Sequence, residues 1–188
     1  AILIASIIYS PFTFGALFAV VSALSTLEFC NIVNKQEGVR VNTFMCAIAS
    51  IFLFMALFAY NCGYANVLIM PSSVFLPYVA VLIYLLVAPL YFGRQTALQS
   101  WAYTMMSQLY VALPFALMNA VVMYNPLLLL AIFILLWVND SGAYIVGSLT
   151  AKLPKGNHKM FPRVSPAKSW EGLIGGFVFD LIAGYVFF

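Results

Sequence analysis

The chain carries five acidic residues among 188, and four of them, Glu28, Asp140, Glu171 and Asp180, stand within or at the ends of long apolar stretches. An ionisable group in apolar surroundings is costly and marks a functional position by default. Asp140 is the foremost of these. It lies in the polar sequence Asn139-Asp140-Ser141-Gly142, before a basic segment that starts at Lys152, which is roughly 15 Å of helix away. Asp180 stands about as far beyond that segment, so two antiparallel helices that pack would bring both carboxylates to one depth and turn them to a common interior. Glu171 opens the last apolar stretch, and Glu28 lies near the end of its own. Carboxylates so placed suit a divalent cation that in turn holds a nucleotide phosphate. The alternative is that each acid pairs with a Lys or Arg or hydrogen-bonds a neighbouring helix; for Glu171 the helix dipole alone would suffice.

The basic segment, Lys152 to Lys168, holds five of the eight Lys and Arg residues in a chain of net charge +3. It reads as a loop rich in Gly and Pro that ends at a helix start. Ammonium and guanidinium groups beside the free N–H groups of a helix N-terminus suit a polyphosphate. A loop that sets topology or meets lipid headgroups would have the same composition. His158, the only histidine, is expected to be solvated rather than catalytic. Cys30, Cys46 and Cys62 show no metal-ligand spacing and read as small packing residues.

The elements that must position these groups follow from composition. Apolar residues make up 65% of the chain, charged residues 7%, and the mean hydropathy is +1.05. No soluble domain of this size has such a surface to offer water, so lipid is the solvent. The expected fold is all-α, a polytopic transmembrane bundle in a single membrane domain over residues 1–188. Six full spans are expected: Phe12–Val33, Asn42–Tyr60, Val74–Phe92, Trp101–Tyr124, Pro126–Leu149 and Trp170–Phe188. Ala1–Tyr9 is too short to cross and reads as a partial first span. It has neither the basic start nor the cleavage site of a secretory signal. It also has no initiating Met, so the chain is expected to be a fragment.

Lys35 and Arg40, then Arg94, then the five cations from Lys152 to Lys168 all fall in connections on one side of this bundle. Positive residues are retained in the cytoplasm, which orients the basic segment inward. Pro77, Pro89 and Pro114 lie inside expected spans and should bend them. Small residues recur every four positions at Ala143, Gly147 and Ala151, and again at Gly172 and Gly176, a pattern that lets two helices approach closely.

The segment Asp140-Ser141-Gly142-Ala143-Tyr144, then Gly147, then Ser165-Pro166-Ala167-Lys168-Ser169-Trp170-Glu171-Gly172 and Gly175-Gly176 resembles the phosphatidate cytidylyltransferase (CDP-diacylglycerol synthase) family. Members of that family read D-x-x-A-Y-x-x-G followed by S-P-K-K-T-x-E-G and G-G. Ala167 replaces the usual Lys, Ser169 the usual Thr, and Ala151 a common Gly. The family's hallmark block, ending D-R-x-D, lies farther along, so the chain is expected to be the amino-terminal and central part of such an enzyme.

The resemblance implies transfer of CMP from CTP to phosphatidic acid, giving CDP-diacylglycerol and pyrophosphate. It implies Mg2+ held by Asp140. Lys168 with Ser165 or Ser169 would touch the CTP phosphates, Lys152 and Arg163 would add positive field, and Glu171 would orient Lys168 or a metal-bound water. The implied partners are CTP, phosphatidic acid and membrane lipid, with a homodimer left open and no nucleic acid. The implied location is the cell (inner) membrane, with the site facing the cytoplasm. The alternatives are a CTP-dependent kinase of a polyprenol or phytol alcohol and, from a different class, a secondary transporter relaying a cation or proton between Asp140 and Asp180.

Overall fold

The computed structural model of the protein describes residues 2–67, 70–91, 97–153 and 156–187; Arg94 and Lys155, two of the cations used above to orient the chain, lie outside them. The chain forms two compact units, Ala1–Pro126 and Leu127–Phe188.

The first unit begins with α1 (Ile2–Tyr9), the short helix expected there, and α2 (Pro11–Val33). Ser10 caps α2 by accepting the Phe12 N–H, and Pro11 occupies the first turn, where no N–H is needed. Thr13 Oγ1 donates to the Ser6 carbonyl at 2.9 Å and ties the two helices. The core is the packing of α2 on α3 (Thr43–Asn61). Phe14, Phe18 and Phe54 are fully buried there, with the Phe14 and Phe18 rings stacked at 4.4 Å. Ser22 and Ser50 meet across the same contact at 2.7 Å, so their hydroxyls satisfy each other in the hydrocarbon. The α2–α3 turn closes on Asn34, which accepts the Val41 N–H at 2.7 Å and donates to the Val41 carbonyl at 2.9 Å.

Two 3-10 turns, Tyr64–Val67 and Pro71–Phe75, lead into α4 (Leu76–Tyr91). Helix α5 (Ala97–Met106) passes through a π-helical segment, Ser107–Ala112, into α6 (Leu113–Tyr124). Of the three prolines expected to bend spans, Pro89 lies inside α4, Pro77 is the second residue of α4, where a missing donor costs little, and Pro114 follows the π-helical segment within the continuous span Leu98–Tyr124. Tyr110, whose carbonyl would meet the Pro114 ring in an α-helix, lies in the wider π segment. Gln108 and Asn119, both fully buried, donate to the Cys46 and Phe54 carbonyls at 3.1 and 3.3 Å and hold this span to α3.

The second unit contains α7 (Pro126–Ala151), strands β1 (Lys159–Phe161) and β2 (Ser165–Ser169), and α8 (Trp170–Phe187). The basic segment is therefore not the irregular loop expected. Lys159 pairs with Ser169 and Phe161 with Ser165 in an antiparallel hairpin. Its turn is closed by a bond from the Val164 N–H to the Phe161 carbonyl at 3.1 Å, with Pro162 at the position that β-turns favour for proline.

Helices α7 and α8 run antiparallel with the expected small-residue contact. A methyl group at Gly172 would lie 2.9 Å from the Ala143 carbonyl oxygen, and one at Gly176 would lie 3.0 Å from that of Asn139. Gly142 and Gly175 are filled in the same way by the Phe179 and Val146 side chains. Large apolar residues on the outer faces, such as Leu136, Ile145, Phe177 and Ile182, are exposed, as lipid-facing side chains should be.

Among the described residues, five helical segments are long and apolar enough to cross a membrane: Pro11–Val33, Thr43–Asn61, Pro71–Tyr91, Leu98–Tyr124 and Pro126–Ala151. Each corresponds to an expected span. The sixth, α8, is a helix of 18 residues and is not among those five. The architecture is a membrane helical bundle with one small hairpin inserted between its last two helices.

Gly176→Leu should force α7 and α8 apart and lower stability by about 1–3 kcal/mol or more, read as a drop in the melting temperature of the detergent-solubilised protein. Gly184→Ala, where the added methyl meets nothing within 4 Å, should leave the melting temperature unchanged.

Candidate active site

The face of α7 that meets α8 is set by positions four apart, Asn139, Ala143 and Gly147. Asp140 lies about 100° round the helix from Asn139, and its side chain is exposed. The group that meets Asp180 is therefore Asn139, not Asp140. Asn139 Nδ2 donates to Asp180 Oδ2 at 2.6 Å. The other carboxylate oxygen, Oδ1, is buried without a hydrogen-bond partner. The common interior expected for the two acids is thus occupied by an Asn–Asp pair, and among the described residues no group of three or more His, Cys, Asp or Glu side chains is placed to hold a metal ion. A carboxylate pair on facing helices depends on register, and a shift of one residue turns Asp140 out of the contact.

The junction of hairpin and α8 gathers most of the other expected residues. Ser169, only 4% exposed, takes the N-cap position of α8, and its Oγ accepts the Gly172 N–H at 3.1 Å. Asn157 Nδ2 donates to the Gly147 carbonyl at 2.9 Å and anchors the incoming strand to α7. The Trp170 N–H donates to the His158 carbonyl at 3.0 Å. Glu171 then closes the junction: its two carboxylate oxygens accept the His158 backbone N–H at 3.1 and 3.0 Å, and Oε1 lies 2.6 Å from His158 Nδ1. The carboxylate expected to orient Lys168 is engaged by His158.

Ser165 is half-buried on β2, and the Lys152, Lys159, Arg163 and Lys168 side chains are exposed. His158–Glu171 is the one ion pair among the described residues, so these four cations stand without a carboxylate partner there. The result is a positively charged surface on the hairpin and at the end of α7, beside the start of α8, whose Trp170 and Gly172 N–H groups are already taken by His158 and Ser169. Such a surface can bind a polyanion and neutralise charge that develops on it. The turn at Pro162 alone would not reveal His158: regular pairing outward from Phe161 and Ser165 sets Lys159 opposite Ala167, and only the register shift between Lys159 and Phe161 brings Lys159 to Ser169 and residue 158 beside Glu171.

The whole chain, residues 1–188, matches the Cytidylyltransferase family. It belongs to that family. Among curated relatives of this cytidylyltransferase-family chain, a phosphatidate cytidylyltransferase of Haemophilus influenzae is 48% identical over 60 residues, 32% of this chain and 19% of that protein. The protein of that name from Staphylococcus haemolyticus is 38% identical over 85 residues, 45% of this chain and 31% of the relative. One from Staphylococcus saprophyticus is 35% identical over the same length and shares. The matched stretches therefore span less than a third of each relative's own length. No solved structure matches the chain.

Replacing the α8 cap, Ser169→Ala, should cost about 1 kcal/mol of stability, measurable as a lowered melting temperature in detergent, whereas Ser169→Thr, which keeps the hydroxyl, should retain most of it.

Proposed function

We propose that the protein is a phosphatidate cytidylyltransferase of the cell membrane, with the hairpin on the cytoplasmic side. The observation that carries this reading is the hairpin itself: exposed cations gathered at the capped start of α8, in a chain of the cytidylyltransferase family. The names of the relatives supply the substrate class. A phosphate oxygen of phosphatidic acid would attack the α-phosphorus of CTP, and the bond from that phosphorus to the bridging oxygen would break to release pyrophosphate. Reactions of this type need alignment and charge neutralisation more than covalent help.

Lys168 and Arg163 on the hairpin, and Lys152 at the end of α7, supply positive charge to the triphosphate. Ser169, buried against Gly147, serves the site as the cap of α8, its oxygen accepting the Gly172 N–H. Ser165 offers a hydroxyl on the same strand. Glu171 maintains the shape of this surface through His158. Mg2+ is commonly held by one or two carboxylates together with substrate phosphates and water. Asp140, an exposed carboxylate within an apolar helix, fits that role as a single protein ligand. When bound, the ion would neutralise phosphate charge. The lipid substrate would arrive from the bilayer and CTP from the cytoplasm, meeting along α7 between the depth of Asp140 and the hairpin.

Membranes containing the complete gene product are expected to convert phosphatidic acid to CDP-diacylglycerol with CTP and Mg2+, and Asp140→Asn should lower the rate on the order of 10²-fold. Full activity of that variant would remove Asp140 from the site; phosphorylation of a polyprenol or phytol alcohol in place of CDP-diacylglycerol formation would redirect the function to a lipid-alcohol kinase. Orientation is checked separately: Lys159→Cys, placed in a Cys62→Ser background, should resist a membrane-impermeant maleimide in intact cells and react once they are permeabilised. Ready labelling in intact cells would reverse the topology.

A further inference from the structure

We infer that His158 is a phosphate-binding residue of this site, its Nε2 donating to the triphosphate of CTP. The inference rests on the function proposed above and adds a residue to it.

The ring's hydrogen bonding fixes which nitrogen is free. An ionised carboxylate offers only lone pairs, so at 2.6 Å from Glu171 Oε1 the proton must reside on His158 Nδ1. That leaves Nε2 as the atom directed elsewhere, and the imidazole is 86% exposed while its carboxylate partner is 27% exposed. A carboxylate that fixes one ring nitrogen orients the other for use, as it does for metal-ligating and catalytic histidines.

Stability alone does not account for the arrangement. An exposed ion pair contributes little to folding, and the hairpin is already closed by the Trp170 N–H to the His158 carbonyl and by the paired strands. If Glu171 served to offset charge, the fully cationic Lys168, Arg163 and Lys159 side chains would be the better partners. Its carboxylate instead takes both the backbone N–H and the ring of a single residue. That geometry sacrifices a counter-ion for the lysines and gains a fixed imidazole. With Nδ1–H given to the carboxylate, Nε2 donates to a phosphate oxygen through the ring's second N–H.

The test uses two variants that divide the ring's functions. Asparagine places its amide nitrogen near the position of Nδ1, so His158→Asn keeps the contact with Glu171 and loses Nε2. Glutamine reaches the position of Nε2, so His158→Gln keeps that donor and loses the contact. Both are measured with the complete gene product in membranes, after the parent has been shown to convert phosphatidic acid.

His158→Asn should raise the KM for CTP about tenfold or more, the loss expected for a hydrogen bond to a charged group, while the KM for phosphatidic acid stays within about twofold, as expected when a single contact to one substrate is removed. His158→Gln should lie closer to the parent in its KM for CTP. Equilibrium binding of CTP to the purified variants should give the same order, and it decides the matter if either variant turns over too slowly to assay. A parental KM for CTP in His158→Asn would overturn the inference. So would equal loss in both variants or greater loss in His158→Gln, because each makes the hold on Glu171 the part that matters. Failure of the parent to convert phosphatidic acid would overturn the proposed function first, before any variant is compared.

Discussion

Between α7 and α8 the separation is set by hydrogen atoms: at Gly172 and Gly176 a single methyl group would approach the Ala143 and Asn139 carbonyl oxygens to 2.9 and 3.0 Å. In lipid no hydrophobic effect drives two helices together, so close backbone contact and the few polar groups it buries must do so. The rest of the second unit depends on that contact. It places Ser169 against Gly147, so that the cap of α8 forms beside α7, and it brings Asn139 to Asp180. It also fixes where the hairpin can return, because both ends of the hairpin are continuous with helices whose spacing is already determined. A bulkier residue at Gly176 would alter the positive surface without touching any residue in it, and one at Gly172 would also press on Ser169 Oγ.

The first unit solves the same solvent problem with side chains. Ser22 and Ser50 satisfy each other, and the amides of Gln108 and Asn119 donate to carbonyls of α3 that its own helix already uses. A carbonyl oxygen has two lone pairs, so it can accept a second bond without unwinding the helix. Gln108 lies in the π-helical segment, whose wider turn also accommodates the ring of Pro114. One local irregularity therefore serves both a proline and an interhelical bond.

Spans were legible in the sequence because hydropathy over about 20 residues is a property of composition and survives small errors of register. The glycine contact was legible for a similar reason, since Gly172 and Gly176 repeat at a helical spacing that has few other uses. The hairpin was not: Ser-Pro-Ala-Lys-Ser on β2 has none of the β-branched or aromatic residues that mark a strand. The facing of the acids was lost by one residue, because periodicity places a stripe but does not say whether position 139 or 140 leads it. A lone histidine in a basic segment carries no signal until strand pairing brings Glu171 beside it.

The hairpin has a second character besides its charge. Val164 is 84% exposed and Phe161 57% exposed, on either side of Pro162 and Arg163. Water gives such side chains no favourable environment, whereas the boundary between headgroups and acyl chains accepts an apolar tip flanked by a guanidinium. A hairpin anchored there would follow the bilayer surface as well as the ends of its helices. Its height, and hence the spacing between cations and acyl chains, would then shift with membrane thickness, coupling the geometry of a polyanion site to the lipid that surrounds it.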